Sequence, residues 1–216
     1  MHGIFGIRTV FRLNLSRAPV IVMQNVKATY KFFETAESDR RLGELILYIA
    51  SRSMADPKYG KTKLNKILYF ADTLAYLRFG KPISGAEYMR LPHGPAPKRM
   101  LPVLEVLERN GSLAIQETAY FGQKQERPLA LRDADLDLFS GNEISIVDRV
   151  IEMCQDHNAS ELSLISHNRA WHITPNKDSI PYEAAFISDE AVTDYDLLRA
   201  KELSDRYGWN VSQDRP

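Results

Sequence analysis

One apolar segment, residues 63–79, constrains the fold of this chain more than any other. Apolar side chains recur there with the i, i+3, i+4, i+7 spacing of one helical face; they are Leu64, Ile67, Leu68, Ala71, Leu74 and Ala75. A second stripe of similar spacing consists of Tyr69, Asp72, Thr73 and Tyr76. A helix that is apolar on more than one side is surrounded by other elements. The pattern therefore predicts a central helix over residues 63–79.

The residues after this helix predict a turn, a short strand and a rigid loop. Gly80 can adopt the left-handed conformation that ends a helix, and Pro82 prevents the helix from continuing. Residues 86–91 have the pattern of a short strand. Residues 92–97, called the His93 loop below, contain three prolines that fix φ and one glycine that permits other backbone angles. Such a loop loses little conformational entropy on binding.

The remaining pattern is mainly helical. Helices are predicted over residues 38–54, from the His93 loop to residue 109, over 142–156, over 160–171 and over 191–207. Pro102 is expected to kink the helix that ends at residue 109 or to delay its start. Alternating apolar residues predict a hairpin over residues 112–131, with its turn at 122–126. The predicted fold class is α+β, a mainly helical single domain around helix 63–79 with a small β hairpin or sheet element.

The two ends of the chain carry opposite charge. Residues 1–33 contain five basic residues and no acidic one, whereas residues 178–205 contain eight acidic residues and two basic ones. Met23 offers an alternative start, so we interpret the residues before it as an over-extended start or a flexible arm rather than a targeting segment. We divide the chain into a basic arm (residues 1–34), a central domain (residues 35–174) and an acidic extension with a helix (residues 175–216).

Composition argues against several classes of protein. The 216 residues carry 28 basic and 28 acidic side chains, so net charge does not favour nucleic acid or an anionic membrane as a partner. Apolar runs are too short to span a bilayer. The single cysteine, Cys154, excludes an internal disulfide and suits a reducing compartment. We expect a cytoplasmic protein that does not bind membranes.

Three patterns that could indicate a catalytic or metal site have simpler explanations. Residues 60–62, Gly-Lys-Thr, resemble the end of a phosphate loop, but the first glycine of that motif is absent and a helix precedes it instead of a strand. Cys154 continues an apolar stripe, so we interpret it as a core residue rather than an activated thiol. His157, His167 and His172 do not have the spacing of a zinc site. We expect no metal and no cofactor.

A DNA-binding function stays open as an alternative. Lys98, Arg99 and Arg109 accompany a helix that precedes a hairpin, which resembles the outline of a winged helix. Binding to DNA phosphates needs a cluster of cations, and acidic residues dilute this one; they are Glu105, Glu108 and Glu117. The alternative to a protein-binding domain is therefore a transcriptional regulator that binds the DNA of its own operon.

Asp72 is the residue of the central helix that folding alone explains least. A carboxylate between apolar stripes must be hydrogen-bonded or exposed at a functional surface, because an unpaired buried charge is costly. Two roles stay open. Asp72 caps residues 93–96 by accepting their backbone N–H groups, or it contacts a partner.

Four separated motifs also occur in a defined order. They are Lys-Leu-Asn-Lys-Ile-Leu-Tyr-Phe-Ala-Asp at residues 63–72, Gly-Lys-Pro-Ile at 80–83, His-Gly-Pro-Ala at 93–96, and Leu-Ser-Leu-Ile-Ser-His at 162–167, followed by Trp171. Together they resemble the Panacea domain, a family that includes the SocA-like antitoxins. The resemblance spans residues 42–171. The departures from the family pattern, at Asn65, Ile67 and Ala96, are conservative.

The resemblance implies an antitoxin of a bacterial or phage toxin–antitoxin pair, which neutralises its cognate toxin by direct protein–protein binding and is not an enzyme. As a hypothesis, the chain blocks the active site of the toxin or the access of substrate, and its acidic extension faces cationic sites of the toxin. The candidate partner-binding residues are Tyr69, Asp72, Tyr76, His93, Gly94, Pro95, Pro97, Trp171, Asp189, Glu190 and Asp194.

Overall fold

A computed structural model of the chain describes residues 32–120, 122–187 and 194–207. The α-helices in these ranges are α1 (Thr35–Arg52), α2 (Lys61–Phe79), α3 (Met100–Arg109), α4 (Gly141–Gln155), α5 (Ala159–Ser166), α6 (Arg169–Ile173) and α7 (Asp194–Tyr207). The strands are β1 (Tyr88–Met89), β2 (Ala96–Pro97), β3 (Leu113–Tyr120), β4 (Gln123–Ala130) and β5 (Ser179–Ile180). Short 3₁₀ helices span Leu136–Leu138 and Tyr182–Phe186. The predicted mainly helical α+β class is confirmed.

The centre of the fold is α2, as its two apolar stripes predict. All residues from 66 to 76 are buried, and α1, α4 and α5 pack against this helix. Burying one Leu or Ile side chain stabilises a fold by about 1.5–3 kcal/mol, so α2 provides a large part of the hydrophobic stabilisation. Gly80 ends the helix with a φ of 69°, in the left-handed region that favours glycine.

A small antiparallel sheet, in the order β2-β1-β5, joins the His93 loop to a later part of the chain. Tyr88 pairs with Pro97 on one side and with Ile180 on the other. The strand predicted over residues 86–91 is shorter in the structure, because β1 has two residues. Pro92 and Pro97 lack the N–H group that a longer ladder would need.

The predicted hairpin is confirmed, but its turn is shorter than predicted. β3 and β4 pair along their whole length, with Tyr120 opposite Gln123. Gly122 has a φ of 75° and permits a tight turn. Residues 123–126, predicted as turn, belong to β4. Lys124, Gln125 and Glu126 are polar because they are not buried: Lys124 is exposed, and Gln125 and Glu126 are half-buried.

The single helix predicted over residues 160–171 is two helices in the structure. Asn158 and Glu161 form a capping box at the start of α5. The side chain of Asn168 then accepts the Trp171 N–H at 3.0 Å and starts α6. Because an N-cap residue has extended backbone angles, Asn168 interrupts the helix and allows the chain to change direction between α5 and α6.

The other helices differ from prediction mainly at their ends. α3 begins at Met100, so Pro102 does not delay its start. Proline is tolerated in the first turn because the N–H groups there have no acceptor within the helix. α4 begins behind a capping box of Ser140 and Glu143. Residues 191–193, the predicted start of the last helix, lie outside the described residues. No helix within the described ranges is long and apolar enough to cross a membrane.

Candidate functional site at the His93 loop

Three motifs that are far apart in the sequence meet where the His93 loop contacts α2 and α5. The Nζ atom of Lys66 donates a hydrogen bond to the Pro95 carbonyl, 2.9 Å away. Gly94, the preceding residue of the loop, has a φ of 92°. A Cβ atom on Gly94 would lie 2.3 Å from Ser166 Oγ and 2.6 Å from Lys66 Nζ. Only glycine fits this position, because both its backbone conformation and the lack of space exclude a side chain.

Lys66 is buried with few hydrogen-bond partners. The residue is 2% exposed, and within the described residues the Pro95 carbonyl is its one hydrogen-bond acceptor. An ammonium group has three donors. Burial lowers the pKa of Lys66 to about 7, because the charged amine loses its hydration. Buried ionisable groups with perturbed pKa values concentrate at functional sites, so Lys66 marks this region as a candidate.

A stack of side chains lies beside the loop. The ring of His167 stacks on Trp171, with centroids 3.8 Å apart and an interplanar angle of 15°. The guanidinium of Arg90 lies 4.2 Å from the Trp171 ring centroid, and His172 approaches the indole edge-on at 5.0 Å. The Nε1 atom of Trp171 donates to the Leu91 carbonyl at 3.0 Å. Trp171 therefore fixes the entry to the His93 loop.

The charged groups that act most strongly on this stack are basic. Burial, and then the charges of Lys66, His172, Arg90 and His93, lower the pKa of His167. Within the described residues, no carboxylate pairs with Arg90, His93, His167 or His172. The Nε2 atom of His167 is buried and has no hydrogen-bond partner among those residues. We call these four residues, Arg90, His93, His167 and His172, the basic cluster.

Asp72 is fully buried and makes other contacts than predicted. Its carboxylate accepts the Ser84 backbone N–H at 2.7 Å, the Ser84 hydroxyl, and the Tyr88 hydroxyl at 2.8 Å. The predicted cap of residues 93–96 is therefore wrong, because the carboxylate holds the turn that follows α2 instead. Asp72 cannot contact a partner directly, because it is 0% exposed. Burial raises the pKa of Asp72, and the hydrogen bonds from Ser84 and Tyr88 act in the opposite sense.

The other predicted partner-binding residues divide by exposure. The buried ones are Tyr69, Tyr76, Gly94, Pro95, Pro97 and Trp171. His93 and Asp194 are exposed, whereas Asp189 and Glu190 lie outside the described residues. In the His93 loop, the side chains open to solvent are those of Pro92 and His93. The buried residues can therefore position this surface, and the exposed ones can contact a partner.

Some residues of the site were not among the predicted ones. They are Lys66, Arg90, Ser166 and His167. The sequence did contain a signal for Lys66. A lysine among the apolar positions of a central helix is unusual, because burying an amine costs free energy unless it is paired. The role of Arg90 and His167 depends on the break between α5 and α6, which periodicity did not reveal.

The basic residues behind the winged-helix alternative are largely paired. Lys98 Nζ lies 2.5 Å from Glu87 Oε1, and Arg99 Nε lies 2.7 Å from Asp39 Oδ1. Lys124, an exposed cation of the hairpin, pairs with Glu117 on the neighbouring strand at 2.6 Å. Cations that already pair with carboxylates contribute less to phosphate binding. The local charges therefore do not favour this region as a DNA-binding surface.

The remaining sequence patterns also have structural explanations. Gly60 is the N-cap of α2, and Lys61 pairs with Glu126 of the hairpin. Cys154 is 1% exposed within the main core, and burial raises the pKa of its thiol to about 12. This confirms its interpretation as a core residue. Among residues 32–120, 122–187 and 194–207, no group of three His, Cys, Asp or Glu side chains is placed to hold a metal ion.

Comparison with known proteins agrees with the motifs that meet at the site. Residues 64–172, half of the chain, match the family model described as "Antitoxin SocA-like, Panacea domain". The match includes Lys66, the whole His93 loop, Ser166 and Trp171. No curated protein and no solved structure matches the chain. The chain belongs to the family of SocA-like antitoxin proteins that carry the Panacea domain.

Proposed function

We propose that this protein is an antitoxin that neutralises a cognate toxin by direct protein–protein contact, and that the toxin docks on the surface around the His93 loop. The observation that carries the proposal is the convergence at this loop of three motifs within the region that matches the antitoxin family. Folding alone does not explain this convergence, because the buried Lys66 amine and the buried Nε2 atom of His167 lack full hydrogen bonding there.

The backbone of this surface is held before any partner binds. The Arg90 side chain donates to the Thr174 carbonyl at 2.9 Å, and the Arg90 carbonyl accepts the Lys177 N–H at 2.9 Å. Trp171 holds Leu91 from the other side of the loop entry. A surface that is already ordered loses less conformational entropy on binding, which favours tight association.

Apolar side chains on the adjoining helices supply the kind of contact that protein interfaces use. Leu164 on α5 is 69% exposed, and Ile173 on α6 is 63% exposed. Leu164 lies one turn before His167, and Ile173 follows the Trp171–His172 pair directly. Apolar anchors surrounded by a polar rim are typical of protein interfaces. We therefore include Leu164 and Ile173 in the proposed docking surface.

The acidic extension is a second proposed contact. Asp194 is exposed at the start of α7, and Asp189 and Glu190 precede it in the sequence. Toxins that act on RNA or nucleotides present cationic sites, and carboxylates of the extension would complement them. In this proposal the His93 surface provides the specific contact, and the extension covers the active site of the toxin.

Direct binding also means that neutralisation is stoichiometric rather than catalytic. We propose that the chain has no enzymatic activity toward its toxin. A titration of a fixed amount of active toxin with the antitoxin distinguishes the two mechanisms. Binding predicts that inhibition is complete near molar equivalence, whereas inhibition by a small fraction of an equivalent, increasing with time, would indicate an enzyme.

Co-expression with the product of the neighbouring open reading frame tests the proposed function. The wild-type chain should restore growth and should co-purify with that product. Introducing a charge at either apolar anchor, Leu164→Asp or Ile173→Asp, should abolish both effects without unfolding the protein. Met54→Asp is the matched control, because Met54 is 66% exposed and lies outside the proposed surface. Equal loss in the control, or rescue by both anchor variants, would contradict the proposed surface.

A further inference from the structure

We propose that the basic arm of this chain docks on its own central domain, with residues 23–31 in a cavity beside Phe33. The cavity, called the Phe33 cavity below, has a volume of about 220 Å³ and lies between α1 and the paired strands β1 and β5. Its walls include Leu42, Tyr88 and Ile180. The inference is independent of the proposed toxin contact, because it concerns two parts of the same chain.

The end of the arm forms one wall of this cavity. Phe33 lines the cavity directly, and the ring of Phe32 packs edge-on against Tyr182, another lining residue, with centroids 5.7 Å apart. Residue 31 lies outside the described residues, and one peptide bond joins it to Phe32 at the rim. Nine extended residues span up to about 30 Å. Residues 23–31 can therefore reach every part of the cavity.

Phe33 is held firmly at the cavity. Gly85 has a φ of 69°, and a Cβ atom there would lie 2.3 Å from Phe33 Cδ2, so the ring packs directly on the Gly85 backbone. The Nζ atom of Lys81 lies 4.3 Å from the centroid of this ring, and the guanidinium carbon of Arg41 lies 4.7 Å from it. A fixed attachment point lowers the entropic cost of placing the preceding residues in the cavity.

The size of the cavity suits the side chains of a peptide better than a separate ligand. Sites for small organic ligands usually have volumes of about 300–1,000 Å³, and the Phe33 cavity is smaller. The arm offers Val26 and Tyr30 close to its attachment point. Leu42 and Ile180 supply apolar surface for these side chains. Burial of apolar area would provide the main favourable free energy of docking.

The charge around the cavity agrees with this occupant. The lining contains one guanidinium and three carboxylates, those of Asp39, Glu87 and Glu183. Asp39 pairs with the guanidinium of Arg99 at 2.7 Å, and Glu87 pairs with a neighbouring lysine at 2.5 Å. Within the described residues Glu183 has no ion pair. Residues 23–31 contain two lysines and no acidic residue, so the docked arm can supply the missing cation.

Docking of the arm would connect three parts of the chain. β1 forms part of the cavity wall and leads into the His93 loop after Met89. Ile180 and Glu183 belong to the start of the acidic extension. An occupied cavity therefore packs the basic arm, β1 and the beginning of the acidic extension against one another, and it supports the backbone that carries the His93 loop.

Nuclear Overhauser effects in the full chain test the docking without the toxin. Side-chain protons of Val26 and Tyr30 should show these effects to the methyl groups of Leu42 and Ile180. A mixture of isotope-labelled and unlabelled chains separates contacts within a chain from contacts between copies. Effects seen only between copies would assign the cavity to the arm of a second copy. The absence of any effect would leave the cavity to a toxin segment or a small ligand, and either result would overturn the proposal.

Charge reversal at the cavity provides the second test. Glu183→Lys changes a half-buried side chain that has no ion pair within the described residues, and the variant should fold normally. We expect the protection of the amides of residues 26–30 against hydrogen exchange to fall about fivefold, or about 1 kcal/mol. Glu152→Lys is the matched control, because Glu152 is exposed on α4 and does not line the cavity. Its protection should equal that of wild type.

A compensating change completes the test. Adding Lys27→Glu and Lys31→Glu to Glu183→Lys restores opposite charges and should restore most of the protection. Equal protection in Glu183→Lys and Glu152→Lys would overturn the proposal, because the arm would then not pass Glu183. These measurements use the chain alone, so their outcome is separate from the test of toxin binding.

Discussion

Lys63 and Lys66 lie one turn apart on the same helix, and their surroundings differ in how many hydrogen-bond acceptors they offer to a buried amine. Lys63 is 1% exposed, and its amine contacts Asp56 at 2.6 Å and the carbonyl groups of Gln155 and His157 at 3.2 and 2.7 Å. Lys66 is 2% exposed and donates to the Pro95 carbonyl alone within the described residues. The Lys63 amine has an acceptor for each of its three donors, whereas the Lys66 amine has an acceptor for one of its three within the described residues.

The same contrast holds for the carboxylate of Asp72 and the ring of His167. Asp72 accepts hydrogen bonds from Ser84 and Tyr88 and lies in the core. His167 keeps a buried nitrogen without a partner beside a surface loop. A fully bonded polar group stabilises the fold, and a partly bonded one needs another explanation. For Lys66 and His167 we propose partner binding as that explanation.

The largest expected effect is that of Lys63→Met. The substitution leaves Asp56 without its buried cation and leaves two carbonyl groups without a donor. Breaking a buried ion pair in this way costs about 3–5 kcal/mol. Urea denaturation should show this loss, and Lys66→Met at the same pH should show a much smaller one. Similar losses at the two positions would remove the distinction between them.

Gly94→Ala should destabilise the fold by about 3 kcal/mol, because it combines backbone strain with a steric clash. The added Cβ would lie 2.3 Å from Ser166 Oγ. Gly111→Ala is the matched control, since its φ of 72° gives the strain but its Cβ would meet nothing within 4 Å. The control should lose about 1 kcal/mol. Denaturation midpoints that fall equally in the two variants would show that the contact with Lys66 and Ser166 is loose.

Asp72→Ala should cost about 2 kcal/mol, because the Ser84 N–H and the Tyr88 hydroxyl lose their acceptor in the core. Asp72→Asn keeps one acceptor oxygen and should cost less. The folded fraction of both variants should bind the toxin as tightly as wild type does. A loss of toxin affinity in well-folded Asp72→Asn would place Asp72 in the functional site after all.

The smallest expected effect is the dependence of stability on pH. The folded pKa of Lys66, about 7, lies below its ordinary value of 10.5. Between these values the unfolded chain binds more protons than the folded chain, so stability rises with pH. The gain between pH 7 and pH 8 should be about 1 kcal/mol and should be absent in Lys66→Met. Urea denaturation of both proteins at pH 7 and pH 8 measures this gain. An equal change in the free energy of unfolding of wild type and Lys66→Met would mean that Lys66 keeps its proton in the folded chain.

Much of the fold could be predicted because it follows from local periodicity. The stripes around Leu64 and Tyr69 defined α2, and Gly80 defined its end, since both signals lie within the helix itself. The helix break at Asn168 was missed because a capping residue inside an apolar pattern looks like any other polar residue. A two-residue turn at Gly122 was missed because exposed strand residues resemble turn residues in composition.

The site was harder to predict than the fold, because its contacts join distant residues. Asp72 and His93 were both recognised as unusual, but nothing near Asp72 in the sequence shows that Ser84 and Tyr88 satisfy it. Likewise, Lys66 and Ser166 are 100 positions apart, and both lie against Gly94. The motifs indicated which segments come together, and the packing decided which of their residues are buried and which are exposed.

The central claim is that the toxin docks on the surface around the His93 loop, and amide hydrogen exchange of the complex tests it most directly. The full chain is measured alone and with the neighbouring gene product that it neutralises. We predict that binding slows exchange at residues 90–94 and 164–173, which carry the basic cluster and the apolar anchors. Protection confined to other surfaces, such as the β3–β4 hairpin, with no change in these two segments, would contradict the account.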